Sequence, residues 1–115
     1  MSVKNKNGII IFGDKGSGKT KMAIQKAKKN GEYSIINIKN LFTPFGLSHL
    51  PFNNIQSVIV EECSVATIGD PRIKRLISST KLLIEKKHKD PILTPNVQWI
   101  FVIRPSRRFS IINLQ

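Results

Sequence analysis

GIIIFGDKGSGKT, residues 8–20, decides how this chain is read. Its first five residues are a continuous apolar run bounded by glycines, the signature of a strand buried on both faces. Its last eight, Gly13-Asp14-Lys15-Gly16-Ser17-Gly18-Lys19-Thr20, satisfy G-x-x-x-x-G-K-[ST] in full. Glycines at those places let the backbone curl until successive N–H groups converge on phosphate oxygens. Over residues 19–30, Met22, Ala23 and Ala27 fall at helical spacing and Asn30-Gly31 is a stop signal. The predicted helix aims its positive dipole end at the same loop. Strand, loop and helix together predict a phosphate-binding loop whose eight residues cradle a nucleoside triphosphate. Lys19 would reach the β- and γ-phosphates, and the Thr20 hydroxyl would coordinate Mg²⁺. ATP and Mg²⁺ are the expected cofactors.

Further along, residues 33–38 (YSIINI) are β-branched and apolar and predict a second strand. Residues 40–54 hold two prolines and a glycine among scattered apolar residues, an irregular and partly buried connection. A third strand is predicted over 56–61 (QSVIVE). Asp70-Pro71 is a helix start, with Ile73, Leu76 and Ile77 on one face. Residues 81–84 and 91–93 flank EKKHKD and predict a hairpin with a basic tip. Residues 97–103 (VQWIFVI) and 109–114 (FSIINL) complete the strands. Strands alternating with helices predict an α/β chain with a mostly parallel sheet of about five strands plus the hairpin, all in one domain over residues 1–115.

The third strand ends in acid, Val58-Ile59-Val60-Glu61-Glu62. In an open α/β sheet, ligands bind at the C-terminal edge of the strands, so these carboxylates are expected beside the phosphates. Glu61 would hold Mg²⁺, directly or through water, and Glu62 would polarise the attacking water. Lys86, Lys87, His88 and Lys89 on the hairpin turn suit contact with a nucleic-acid backbone, although solvent exposure alone also produces a charged tip. Arg104 follows the fourth strand, near the expected γ-phosphate. Arg107 and Arg108 precede the fifth, where a ring ATPase presents an arginine finger to its neighbour. His49 lacks ligand partners in the sequence and is read as structural.

Composition sets the outer bounds. Nineteen Lys and Arg against seven Asp and Glu give a net charge of +12, which favours polyanions, nucleic acid first and an anionic membrane surface second. No run reaches the length of a membrane span and the N-terminus has no apolar signal core. The single cysteine, Cys63, leaves no internal disulfide framework and no multi-cysteine metal site. A reducing, intracellular setting is expected: the cytoplasm, or a host nucleus for a virus of eukaryotes.

From about Ile9 to Leu114 the chain resembles a pared-down superfamily 3 helicase domain, the ATPase of small DNA viruses, phages and plasmid-like elements, which implies a three-layer, AAA+-like P-loop NTPase fold. Beyond the loop and paired acids, the likeness rests on RIKRLISSTKLLIEKKHKDPILTPNVQWIFVI, residues 72–103: helix, short strand, basic hairpin, Thr-Pro pair and apolar strand. The resemblance implies that Lys87 and Lys89, flanking His88, grip DNA and that Arg108 is the arginine finger. It departs from the family after the fourth strand, where a polar sensor residue, usually Asn, is replaced by Arg104. It implies an ATPase that assembles into a homo-oligomeric ring and moves single-stranded DNA, with no membrane partner. A separate origin-binding or nuclease protein would supply DNA specificity. A genome-packaging ATPase fits most of the same features. So does a non-catalytic nucleic-acid-binding module stabilised by nucleotide. A nucleotide kinase fits poorly, because residues 40–60 contain no arginine.

Overall fold

The computed structural model describes residues 8–12, 18–103 and 110–114, apart from the side chains of Phe12, Ile68 and residues 110–114. In chain order the elements are β1 (Gly8–Phe12), α1 (Lys19–Asn30), β2 (Tyr33–Asn37), α2 (Ile38–Leu41), a 3-10 turn (Gly46–His49) and β3 (Ser57–Cys63). Then follow α3 (Val65–Ile68), α4 (Pro71–Ser78), β4 (Lys81–Ile84), β5 (Ile92–Pro95), β6 (Gln98–Ile103) and β7 (Ser110–Leu114). The central sheet has the order β2-β3-β6-β1-β7, and β4-β5 form a separate antiparallel hairpin.

Four strands of the central sheet are parallel, and β7 runs antiparallel against β1. The direction of β7 follows from chain length. Ile103 and Ser110 both stand opposite Phe12, one on each side. A parallel return needs a crossover of roughly a dozen residues or more, and residues 104–109 are fewer than that.

Alternation along the strands sorts the core into two layers. Ile10, Val58, Val60, Trp99, Phe101 and Ile103 face one way, where Leu41 of α2, Ile73 and Ile77 of α4, and Leu82 and Ile84 of the hairpin cover them. Ile11, Ile59, Ile100 and Val102 face the other way, against Ala23 and Ala27 of α1. This opposition is what right-handed crossovers require: β1 reaches β2 by moving one way across the sheet, while β2 to β3 and β3 to β6 move back. Trp99 and Phe101 are essentially fully buried. Each such side chain contributes about 1.5–3 kcal/mol on leaving water.

Local chemistry sets the element ends. α1 stops at Gly31, whose φ of 130° suits glycine and whose missing Cβ leaves room for the Gln56 side chain. The Gln56 carbonyl Oε1 then accepts from the Glu32 N–H at 2.8 Å. β2 ends a residue earlier than the apolar pattern suggests, because Asn37 turns to cap α2 by accepting from the Lys39 N–H. α4 begins as expected: the Asp70 carboxylate accepts from the Arg72 N–H at 2.9 Å, and Pro71 opens the first turn. His49, expected to be structural, is exposed at the end of the 3-10 turn. No helix among the described residues is long and apolar enough to cross a membrane.

Candidate functional site

The register brings two sequence motifs to one edge of the sheet. Ile11 pairs with Val102 and Phe12 with Ile103, while Val60 pairs with Phe101 and Cys63 with Ile103. Between these last two pairs β3 holds both Glu61 and Glu62 where β6 holds only Val102. The acids therefore form a β-bulge. Glu62 has φ 64°, the left-handed region, which costs a non-glycine residue on the order of 1–2 kcal/mol.

The bulge resets the alternation of β3. Val58 and Val60 face the α4 side and Ile59 the α1 side, yet Cys63 is back on the α4 side, where regular pleating would not put it. Glu61 stays in register with Asn37 of β2, so it falls on the α1 side, half-buried, while Glu62 is exposed. The sequence pattern ends this strand at Glu61. In the structure it continues to Cys63, and the acids lie inside it, because a buried Cys63 extends the pairing beyond them. Burial pushes the Cys63 thiol up to about 12, opposed by a hydrogen bond from the Val102 backbone and reinforced by the Glu62 charge. The thiol is therefore protonated at neutral pH and does not act as a nucleophile.

On the other side of β6, α1 begins at the same edge. Gly18, its N-cap, has φ 90° and offers no side chain to the helix. No acidic residue occupies the first turn, so the positive end of the α1 dipole is uncompensated there. Lys19 is only 7% exposed, an unusual degree of burial for a lysine, whereas Thr20 is exposed. Both Lys19 and Glu62 have partners within the fold. With β6 interposed, β1 and β3 are two strand spacings apart, about 9.5 Å. Gly18, Lys19 and Thr20 are the described residues of the loop motif, and β6 alone separates β1, which that motif follows, from β3, which carries Glu61 and Glu62. Gly13, Asp14, Lys15, Gly16 and Ser17 lie outside the described residues, as do Arg104, Arg107 and Arg108. Among the described residues no group of three His, Cys, Asp or Glu side chains could hold a metal ion by itself. An ion that arrives with phosphate oxygens needs only one or two protein ligands.

Lys87, His88 and Lys89 are exposed and Lys86 half-buried, with His88 turning the chain at φ 62°. The hairpin is rooted at the opposite, N-terminal end of β6 by Asn96. The Asn96 side-chain amide donates to the carbonyls of Leu76 at 2.8 Å and Ser79 at 2.6 Å, closing the end of α4. Its Oδ1 accepts from the Val97 N–H and from Trp99 Nε1, each at 2.8 Å. Nothing in the sequence singles out Asn96. An asparagine before a strand reads as a turn, and its partners lie on two separate elements.

The chain is similar in fold to the C-terminal region of NrS-1 in its A-form apo structure, with a TM-score of 0.53 and 22% identity. The likeness covers 82% of this chain and 23% of that one, so this chain spans less than a quarter of the length of its structural neighbour. No protein-family model and no curated protein matches it.

Proposed function

We propose that this chain is the ATP-binding and ATP-hydrolysing domain of a superfamily 3-like DNA helicase that acts on single-stranded DNA. The observation that supports this most is the strand between the two motifs. A gap of about 9.5 Å between β1 and β3 accommodates a phosphoryl group and a water in file, at roughly 3 Å per hydrogen bond. Adjacent strands would leave no such room. The likeness in fold to the NrS-1 region agrees with the α/β architecture this reading needs.

On this reading the N–H groups from Gly13 to Thr20 bind the phosphates, with Asp14, Lys15, Gly16, Ser17 and Gly18 shaping the loop. Lys19 neutralises β- and γ-phosphate oxygens, and its burial strengthens that interaction by excluding water. Thr20 and Glu61 would hold Mg²⁺, which would supply charge neutralisation to the phosphates. Glu62 orients and polarises the water that attacks the γ-phosphate. The bulge supports that role, because Cys63 just beyond it is buried in the core and anchors the strand on the far side of Glu62. Arg104 and Arg108 are assigned to the γ-phosphate, Arg108 from a neighbouring copy in a homo-oligomeric ring. Lys86, Lys87, His88 and Lys89 contact the DNA backbone.

ATP turnover, measured with and without oligothymidylate and at several protein concentrations, tests the reading. Lys19→Ala should lower the rate by roughly 100-fold or more. Lys87→Ala with Lys89→Ala should keep the basal rate and lose the DNA stimulation. A rate per chain that rises with protein concentration is expected if active sites are shared between copies. Hydrolysis at the wild-type rate by Lys19→Ala would overturn the assignment.

A further inference from the structure

Helix α1 carries a second basic surface, on the other side of the central sheet from the hairpin. It packs against Ile11, Ile59, Ile100 and Val102, whereas the hairpin covers the face that holds Trp99 and Phe101. Its sequence, KTKMAIQKAKKN, has five lysines and no acid. Lys19, Ala23 and Ala27 form the buried seam. Helical spacing sets Lys21, Gln25, Lys28 and Lys29 on the far side from that seam, and all four are exposed. The helix gains little from this arrangement by itself. Lys28 and Lys29 complement the dipole in the last turn, but Lys21 sits in the first turn, where a cation is disfavoured. Lys26 and Lys29, three residues apart, repel each other. The acids nearest the two ends are Glu32, just past Gly31, and Glu61 at the sheet edge. Among the described residues no ion pair joins either of them to these lysines.

The chemistry of the face selects its partner. No large apolar side chain of α1 is exposed, so a protein or a membrane laid on it would bury no apolar area in return for desolvating lysines. A second copy of this chain would set lysines against lysines, on molecules that each carry +12. The helix contains no Phe, Tyr or Trp, and Tyr33 of the neighbouring strand is packed into the layer beneath, so unpaired bases find no platform on which to stack. What is left is a rigid row of cations suited to phosphates whose bases are already paired. Lys21 and Lys28 are seven residues apart, about 10 Å along the helix axis. That is close to the width of a duplex groove, about 12 Å for the major groove of B-form DNA, so the two ammonium groups reach phosphates on both sides of it. We infer that the outer face of α1 binds the phosphate backbone of a nucleic-acid duplex without reading its sequence. The contact needs neither ATP nor the hairpin.

The test measures fluorescence anisotropy of a short labelled DNA duplex, and of an RNA duplex of the same sequence, with the full chain, no nucleotide and several salt concentrations. The more tightly held duplex names the backbone. Lys21→Gln, Lys28→Gln and Lys29→Gln together should weaken that duplex about tenfold or more and lower the slope of log affinity against log salt by about 2 to 3. Glutamine keeps the helix propensity of lysine, and near-ultraviolet circular dichroism from Trp99 checks the fold. Lys39→Gln with Lys74→Gln and Arg75→Gln removes the same charge from exposed positions off α1, and should change the affinity by less than about threefold. Lys87→Ala with Lys89→Ala should likewise leave duplex binding within about threefold of wild type, whatever it does to oligothymidylate. Equal weakening by the α1 set and the off-helix set would overturn the proposal, because net charge and not this face would then hold the duplex. So would polyglutamate of matched charge that binds as tightly as the duplex and depends on the same three lysines, which would assign the face to an acidic protein.

Discussion

The central sheet and the hairpin bury their strands in opposite ways, and the chemistry assigned to each follows from that. β1, β3 and β6 are covered on both faces, by α1 on one side and by α2, α4 and the hairpin on the other. β4 and β5 are covered on one face only and leave a row of side chains in water. A strand buried on both faces cannot carry polar groups along its length, so function collects where it ends or is interrupted. Glu61 and Glu62 occupy such an interruption. A strand buried on one face can present side chains on its other face and at its tip, as Leu83, Leu93, Lys87, His88 and Lys89 are presented to solvent. The first arrangement gives positional precision and the second gives accessible area.

The largest expected effect comes from the residue that belongs to both regions. Trp99 is fully buried in β6, its ring lies 6.3 Å from that of Phe52, and its Nε1 donates to the Asn96 side chain that roots the hairpin. Trp99→Ala should cost about 3–5 kcal/mol, a large share of the stability of a small domain. Urea unfolding followed by far-ultraviolet circular dichroism measures it, since the only tryptophan is lost. Hydrogen exchange sharpens the comparison: amides of β4 and β5 should lose protection before those of β1, β3 and β6. Uniform loss would mean that hairpin and sheet open as one unit and that the contrast drawn here is only geometric.

Next in size is the strain at Glu62. Glu62→Gly and Glu62→Ala both remove the carboxylate, but only glycine is at ease with φ 64°. The glycine variant should be more stable than the alanine variant by about 1 kcal/mol in denaturant titration, while neither hydrolyses ATP at the wild-type rate. Equal stabilities would mean that the bulge rearranges when the side chain is lost, and that the strand does not hold the acid in place.

How much of this was legible in the sequence divides along the same line. β1 and α1 match the pattern to the residue, because a run buried on both faces shows no alternation and Asn30-Gly31 is a strong stop. The hairpin is legible from its alternation and charged turn, with β5 shifted toward Pro95. The end of β3 was not legible. No glycine or proline marks the bulge, and what imposes it is the pairing of Cys63 with Ile103, forty residues away in sequence. The four-residue helices α2 and α3 were invisible for another reason: each is a single turn set by its caps, Asn37 and Ser64, with no apolar period to read. Of the candidate site, the sequence supplied the residue types, and the strand order supplied the separation between them.

A smaller effect is expected under the hairpin. Thr94 is buried, and among the described residues its hydroxyl has no hydrogen-bond partner. Thr94→Val keeps the shape and removes a polar atom that burial penalises, so it should raise stability by about 1 kcal/mol. A loss of stability would show that the hydroxyl is satisfied by a buried water. The inner face of the hairpin would then be wetter than the layer between α1 and the sheet.

The smallest effect lies at the start of α4, where surface electrostatics act without burial. The Asp70 carboxylate is held below the ordinary aspartate range, first by the Arg72 side chain, bonded through Nη2 at 2.7 Å, and then by the Arg72 backbone N–H. Arg72 also lies over the Phe42 ring at 3.8 Å, so the pair fastens α4 to the end of α2. Because the folded-state value is depressed, the contribution is present above the unfolded aspartate value, about 3.9, and is lost as pH falls through the lower folded value. Asp70→Asn keeps the cap but removes the charge, so its melting temperature should fall below that of wild type by a few degrees at most at pH 7. Scans at descending pH should show that difference shrinking below about pH 4. A difference that stays constant into acid would assign the effect to the geometry of the cap and not to the ion pair. The attachment of α4 to the sheet would then rest on the Asn96 amide at its end and on Ile73, Leu76 and Ile77, apolar burial of the same kind that holds β1, β3 and β6.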